Sequence, residues 1–321
     1  MIRLLAYYTF ATGDLEDGKN YHPVIYFHGF PGSGIEGGVC AKSAARFQCK
    51  LYAIDRPGFG SSEPLTLDKT ESADDYIAAV VRDVWDFVRR MNWPKFSIVA
   101  VSGGGPFAQA MLESYMLTKL GIDTSVPTLE AISVVAGVCC SAGTEGMMPQ
   151  NQALCRLIMK DSFWSRLLLR IQFSLQRFLL RYFPEKLIIS MSKPMLRYCP
   201  QVDKEVFSNA VIQHHFIENA KEAIRQSAEP LFIESRVLFR AHQGFESSLR
   251  EKWSQACSEG KKVPRVTIFQ GKLDVNVPPS HSRYVHRELL CGTSLLREYP
   301  YLGHVSLVVR KADEYMQSAA L

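Results

Sequence analysis

Ser102 stands where a chain could present a nucleophile. It follows the apolar run Phe96-Ser97-Ile98-Val99-Ala100-Val101 and precedes Gly103-Gly104-Gly105-Pro106. Beyond these, Phe107, Ala110, Met111 and Tyr115 recur at helical spacing. A continuous apolar run of this length predicts a buried parallel strand. A strand that passes into a helix through one serine must turn sharply, so the serine takes a strained backbone and nothing bulky can stand beside it. Ala100 and Gly104, two residues to either side, leave that room. The hydroxyl is then held at the end of a sheet, beside a helix N-terminus that can stabilise a negative oxygen. The pattern is that of a nucleophile elbow with alanine in place of the usual first glycine. Taken alone, it also fits a glycine-rich turn that binds a phosphate or nothing.

A serine hydroxyl is a poor nucleophile at neutral pH and needs a neighbouring base. His304 follows Leu302-Gly303 after the strand expected at 294–299, where a loop can bring an imidazole over a sheet edge. Asp274 follows the run Val266-Thr267-Ile268-Phe269 in a turn closed by Pro278. Bonding one ring nitrogen of His304 would fix the tautomer, so that the other nitrogen faces Ser102. Glu145, after the preceding strand, is the competing acid, and the turn context favours Asp274.

The elements that must hold these residues alternate between strand and helix. The order runs from a strand over 3–10 and a turn through Gly13, Asp14 and Gly18 to a buried strand at 23–27. Next come the loop His28-Gly29-Phe30-Pro31-Gly32-Ser33-Gly34, a weak helix to about Phe47, and a strand at 50–54. Tyr76, Ile77, Val80, Val84, Phe87 and Val88 then give a helix over 72–91 its 3.6-residue apolar period. The elbow strand, a strand at 131–135 and those at 266–269 and 294–299 complete an α/β pattern with a mostly parallel sheet and helices on both faces. A glycine-rich loop at the C-terminal end of a parallel strand is where such sheets build a ligand crevice.

The stretch 141–240 lacks buried-strand runs and reads as an inserted, all-helical cap or lid. The core is then 1–140 with 241–321. Further on, a helix is plausible over 209–228. In the 162–183 helix, Arg166, Arg170, Arg177 and Arg181 share an arc of roughly 60° at 100° per residue, and Leu, Ile, Phe and Trp fill most of the remainder. One reading is a lid helix with a solvated arginine stripe and its apolar side over a pocket. The other is a basic amphipathic helix that rests on an anionic membrane as a peripheral contact. Between Ser141 and Pro200 nine Lys and Arg face three Asp and Glu, an imbalance greater than that of the whole chain.

At 321 residues the chain is long enough for one large α/β domain with an insertion. Hydrophobic content of 47% and charged content of 21% are ordinary for a globular protein. A net charge of +5, with no basic run interleaved with aromatics, argues against nucleic acid. None of the eight cysteines makes a Cys-x-x-Cys pair, so reduced, mostly buried thiols and a cytoplasmic setting are expected. The adjacent Cys139-Cys140 reads as strand-end packing. The first residues show no signal-peptide pattern, and no apolar window is long enough for a membrane span. No metal or cofactor is expected, and oligomeric state is open.

Four motifs in order resemble the α/β-hydrolase superfamily, in its cap-bearing branch of epoxide hydrolases, dehalogenases and esterases. They are His28-Gly29-Phe30-Pro31-Gly32; Asp55-Arg56-Pro57-Gly58-Phe59-Gly60-Ser61-Ser62; Val101-Ser102-Gly103-Gly104-Gly105; and Gly271-Lys272-Leu273-Asp274-Val275-Asn276-Val277-Pro278 with Leu302-Gly303-His304. The order serine, acid, histidine is the one that fold uses. The resemblance implies catalysis by Ser102, Asp274 and His304, and an oxyanion hole from the backbone N–H groups of Phe30 and Gly103. It also implies a substrate pocket touched by Phe30, Val101 and Val275. His28 is usually structural in that family, and the Asp55-Arg56 loop reads as structural too. Dehalogenases and epoxide hydrolases carry a carboxylate at the elbow; a serine implies acyl transfer, on an ester, thioester or amide. The chain begins almost on what looks like the family's second strand. The expected function is hydrolysis of a fairly apolar small acyl substrate. The alternative is a small-molecule or lipid binding protein on the same fold with little turnover.

Overall fold

A computed structural model describes residues 3–10, 21–65, 73–120, 126–240 and 242–320. Among these residues seven strands form one sheet: β1 (Tyr7–Phe10), β2 (His22–Phe27), β3 (Cys49–Ile54), β4 (Lys95–Val101), β5 (Thr128–Val135), β6 (Arg265–Gly271) and β7 (Leu295–Tyr299). Their spatial order is β1-β3-β2-β4-β5-β6-β7. β1 pairs antiparallel with β3 and every other pairing is parallel. The expected first strand is shorter than 3–10, since only Tyr7–Phe10 pairs with β3. The turn expected through Gly13, Asp14 and Gly18 lies outside the described residues.

β4 sits at the centre and is buried from Phe96 onward, because helices cover both faces of the sheet. One apolar core lies against the Ala73–Arg90, Gly105–Leu120 and Gln243–Ser258 helices, with Val80, Phe107, Met111 and Trp253 among its members. The other lies against the Ala41–Arg46, His304–Arg310 and Ala312–Ala320 helices, around Tyr26, Val99, Leu307 and Tyr315. The period read for 72–91 corresponds to the Ala73–Arg90 helix, with Tyr76, Ile77, Val80, Val84 and Val88 buried.

The parallel strands share register: Phe27 pairs with Ala100, Val101 with Val135, Val135 with Phe269 and Phe269 with Arg297. All therefore end at one edge, and the loops after β2, β4, β6 and β7 gather there. From β2 the chain steps to β3 on one side; from β4 it steps to β5 on the other. The crevice of an open α/β sheet opens at such a reversal. Here that places the loop at Gly29-Phe30 next to Ser102.

Between β5 and β6 the regular structure is helical, including Pro149–Lys160, Phe163–Tyr182, Glu185–Leu196, Gln201–Phe207, Ala210–Ala223 and Glu229–Leu238. Leu169, Phe173 and Leu180 of the second pack with Ile158, Ile224, Leu231 and Phe232 in a third apolar cluster. The orientation of the Phe163–Tyr182 helix differs from the lid-helix expectation. Its arginine flank is solvent-exposed at Arg166, Arg170 and Arg181, as the stripe predicts, but it is also held: Arg166 pairs with Asp161 at 2.8 Å, Arg170 with Glu229 at 2.6 Å, and half-buried Arg177 donates to the Ile224 carbonyl at 3.0 Å. Most of its apolar side is exposed rather than laid over a pocket. The ion pairs and carbonyl contacts fix the helix by its basic flank, which turns the widest apolar arc outward. Cys40, Cys49, Cys139, Cys155 and Cys199 are buried and outside any disulfide, whereas Cys257 and Cys291 are exposed.

Candidate active site

Ser102 adopts φ +51°, a left-handed conformation that a non-glycine residue holds only under strain of about 1–3 kcal/mol. The turn works because its neighbours are small. A Cβ on Gly104 would lie 2.5 Å from the Phe27 carbonyl oxygen, and one on Gly103 would lie 2.8 Å from Phe30 Cβ. The Val138 N–H donates to the Ser102 carbonyl at 2.9 Å and ties the corner to the loop after β5.

At the same edge His304 Nδ1 donates to Asp274 Oδ2 at 2.7 Å. The other carboxylate oxygen accepts the backbone N–H groups of Asn276 at 2.8 Å and Val277 at 2.9 Å, a tight turn that fixes the direction of the acid. That bond leaves Nε2 as the free ring nitrogen. Glu145 is exposed and does not meet the ring. Ser102 Oγ makes no hydrogen bond to the imidazole among the described residues. Burial disfavours the imidazolium of His304, whose side chain is 14% exposed. The charge and hydrogen bond of Asp274, joined by the charges of Asp203 and Glu36, outweigh burial and raise its pKa above the usual value.

Phe30 N and Gly103 are neighbours: a Cβ on Gly103 would stand 3.1 Å from the Phe30 nitrogen. Gly103 lies in the first turn after the elbow, where N–H groups lack an intrahelical acceptor. The Phe30 N–H likewise finds no acceptor among the described residues. The Phe30 ring meets Phe173 and Phe239 edge-on at 6.4 and 6.1 Å, and Leu238 closes over Gly103. Val275 is half-buried, with its carbonyl accepting the Met148 N–H at 2.7 Å. Val101 is buried with Leu302 and Leu307, on the face of the sheet opposite Ala100, because side chains alternate along the strand.

Several groups that hold the site were not singled out from sequence. Glu36 is buried; its Oε1 accepts the Gly29 N–H at 2.9 Å and the Tyr26 hydroxyl at 3.0 Å, which sets the loop carrying Phe30. Burial raises its pKa, and these bonds offset only part of the rise. Asp203, from the Gln201–Phe207 helix, accepts the N–H groups of His304 at 2.9 Å and Ser306 at 2.8 Å. Phe173, Leu238 and Phe239 come from the helical segment between β5 and β6. The one sequence hint was an acid set among glycines at Glu36; nothing local marks Asp203.

His28 is fully buried, with Nδ1 against the Gly29 carbonyl at 2.8 Å. Burial, and then the charge of Arg56, push its pKa well down, so it stays neutral. Among the described residues the one grouping of metal-type ligands is Glu185, His214 and Glu218. There the Lys221 ammonium already bridges the two carboxylates, at 3.2 and 2.7 Å.

Comparisons with known proteins agree with the architecture. No curated protein sequence matches the chain significantly. A bromoperoxidase from Bacillus anthracis superposes with a TM-score of 0.59 at 14% identity, covering 98% of this chain and 93% of that one. An esterase from Exiguobacterium antarcticum gives 0.56 at 14% identity with the same coverages. An enol-lactonase from Burkholderia xenovorans LB400 gives 0.56 at 13%, covering 98% and 94%. The family model described as alpha/beta hydrolase fold matches residues 22–310, and the chain belongs to that family.

Proposed function

We propose that the chain is a serine hydrolase that cleaves a carboxylic ester of a fairly apolar small molecule through an acyl-enzyme. The observation that carries this reading is the 2.7 Å bond from His304 to Asp274 at the sheet edge where Ser102 is held at φ +51°. The solved esterase and enol-lactonase of the same fold support the reaction class.

In this mechanism Ser102 Oγ attacks the ester carbonyl carbon while its proton passes to His304 Nε2. The oxyanion that forms is met by the N–H groups of Phe30 and Gly103, each donor worth roughly 10²- to 10³-fold in rate. Collapse breaks the C–O bond, and the leaving alkoxide takes the proton from His304. Water, deprotonated by His304, then attacks the acyl carbon; the bond to Ser102 Oγ breaks, Oγ takes the proton back from His304, and the acid leaves. Asp274 keeps the ring oriented and favours the imidazolium between the two proton transfers. The helical segment acts as a cap, with Phe173, Leu238 and Phe239 supplying an apolar wall beside Phe30.

The test is labelling with a fluorophosphonate probe alongside turnover of p-nitrophenyl esters of increasing chain length. Wild-type protein should label and Ser102→Ala should not. Ser102→Ala and His304→Ala should each remove nearly all turnover, and the double variant should lose little more, because the residues act as a unit. Labelling that survives Ser102→Ala, or near-normal turnover by His304→Ala, would overturn the assignment. A wild type that folds and binds apolar esters without labelling would be a binding protein on a hydrolase fold.

A further inference from the structure

We propose that the outer face of the Phe163–Tyr182 and Glu185–Leu196 helices docks on an anionic lipid bilayer. On the first helix Trp164, Leu168, Ile171, Leu175, Phe178 and Tyr182 form one stripe, each between 51% and 73% exposed. Their spacing of three and four residues places them on a single face. Leu187, Met191 and Met195 continue the exposed apolar surface onto the second helix. A surface of this extent is more than scattered exposure on a soluble monomer, and it marks a contact with something apolar.

Charge selects the occupant. Lys160, Arg181, Lys186 and Lys193 are exposed on these helices or just before them, and none has an acidic partner among the described residues. The two acids nearest the stripe are already committed: Asp161 to Arg166 and Arg236, and Glu185 to His214 and Lys221. A second copy docked by a two-fold axis would lay this basic rim against itself. An anionic membrane surface meets both the apolar stripe and the rim. No helix of the described residues is long and apolar enough to cross a membrane, so the helices would lie in the interface plane. Trp164 and Tyr182, near opposite ends of the stripe, have the amphipathic rings that settle at headgroup level.

The opposite face of the same helix reaches the site, where Phe173 meets the Phe30 ring at 6.4 Å. One helix therefore has lipid on one side and the candidate acyl pocket on the other. An ester dissolved in the bilayer would enter beside it; this last step rests on the proposed hydrolase function, whereas docking does not.

The experiment uses the full chain and vesicles of phosphatidylcholine, with or without phosphatidylserine. The protein should sediment with the anionic vesicles, less as salt rises, and hardly with the neutral ones. Trp85 and Trp253 are buried and Trp93 is half-buried, so Trp164 should dominate a blue shift in emission on binding. Trp164→Phe should abolish that shift. Ile171→Ser with Leu175→Ser should abolish sedimentation. Arg181→Gln, Lys186→Gln and Lys193→Gln should each weaken partitioning about five-fold, and together about a hundred-fold. Turnover of a short, water-soluble p-nitrophenyl ester should not change in any of these variants, which separates failure of docking from failure of the catalytic reading. The proposal is overturned by absence of sedimentation at low salt, by sedimentation indifferent to both sets of substitutions, or by an unmoved Trp164 emission. It is equally overturned by a dimer in light scattering that the Ile171→Ser, Leu175→Ser variant dissociates while vesicles bind neither form.

Discussion

His304 sets the pH dependence of the proposed reaction. Only its neutral form can take a proton from Ser102, and its pKa in the folded protein is raised above 6.5 because Asp274, Asp203 and Glu36 together outweigh burial. The acid limb of kcat/KM should therefore have its midpoint above 6.5, measured as initial rates on a p-nitrophenyl ester; a midpoint below 6.5 would contradict the charge environment. Asp274→Asn should move that limb to lower pH and cut kcat by about 10⁴ without unfolding the protein. The linked stability runs the other way. Because the folded pKa is raised, the contribution of His304 to stability is complete below the unfolded value and fades as pH climbs through the folded one. Ser102, Asp274 and His304 could all be singled out in the sequence because each sits in a local pattern: small residues around a strand end, an acid in a turn after a strand, a histidine after Leu-Gly. Glu36 was not, since an acid among glycines is a hint without a role, and that role comes from burial beneath Tyr26 and Gly29.

Between elements, the decisive contact is the one that begins the histidine helix. A single carboxylate, Asp203, accepts the His304 N–H through Oδ2, and the Ser306 N–H and hydroxyl through Oδ1 at 2.8 and 2.6 Å. It comes from a helix of the segment 141–240, so the backbone of the proposed base is held from outside the sheet. Asp203→Ala should leave buried N–H groups unpaired, at a cost of about 1–3 kcal/mol. By loosening the ring it should lower kcat roughly ten- to a hundred-fold with KM little changed. Asp203→Asn keeps one acceptor oxygen; it should recover part of kcat while shifting the acid limb slightly down, because the charge is gone. Steady-state kinetics with thermal denaturation would check this, and unchanged kcat in Asp203→Ala would remove the positioning role. Sequence periodicity was enough for helices such as Ala73–Arg90, whose apolar positions are spaced for one buried face. It could not supply a contact between residues 101 positions apart. It also could not show that most of the apolar side of the Phe163–Tyr182 helix is left exposed: the wheel separates arginines from apolar residues, but the contacts of Arg166, Arg170 and Arg177 with Asp161, Glu229 and the 224–226 carbonyls appear only in the folded chain.

For the molecule as a whole, one buried ion pair joins the sheet to the helical segment. Arg56 and Glu234 are both fully buried and meet through two bonds, at 2.7 and 2.5 Å. The same guanidinium donates to the carbonyls of His28 at 2.5 Å and Gly29 at 3.0 Å, and lies 4.8 Å from the centre of the Phe107 ring. It thus links the loop carrying Phe30, the helix after the elbow and the Glu229–Leu238 helix, whose last residue closes over Gly103. The sequence marked Asp55-Arg56 as a structural loop, but the partner 178 residues away is visible only once the chain is folded. Removing either member should strand a buried charge, so Arg56→Ala and Glu234→Ala should each cost about 3–5 kcal/mol in urea unfolding. The volume-matched pair Arg56→Met with Glu234→Leu should regain most of that, because neither charge is then left alone. Turnover should not return with it, since methionine cannot hold the His28 and Gly29 carbonyls and the proposed oxyanion loop loses its anchor. A double variant whose loss equals the sum of the single losses would mean the two residues stabilise the fold independently. A double variant with full turnover would mean that the joint holds the molecule together without positioning the site.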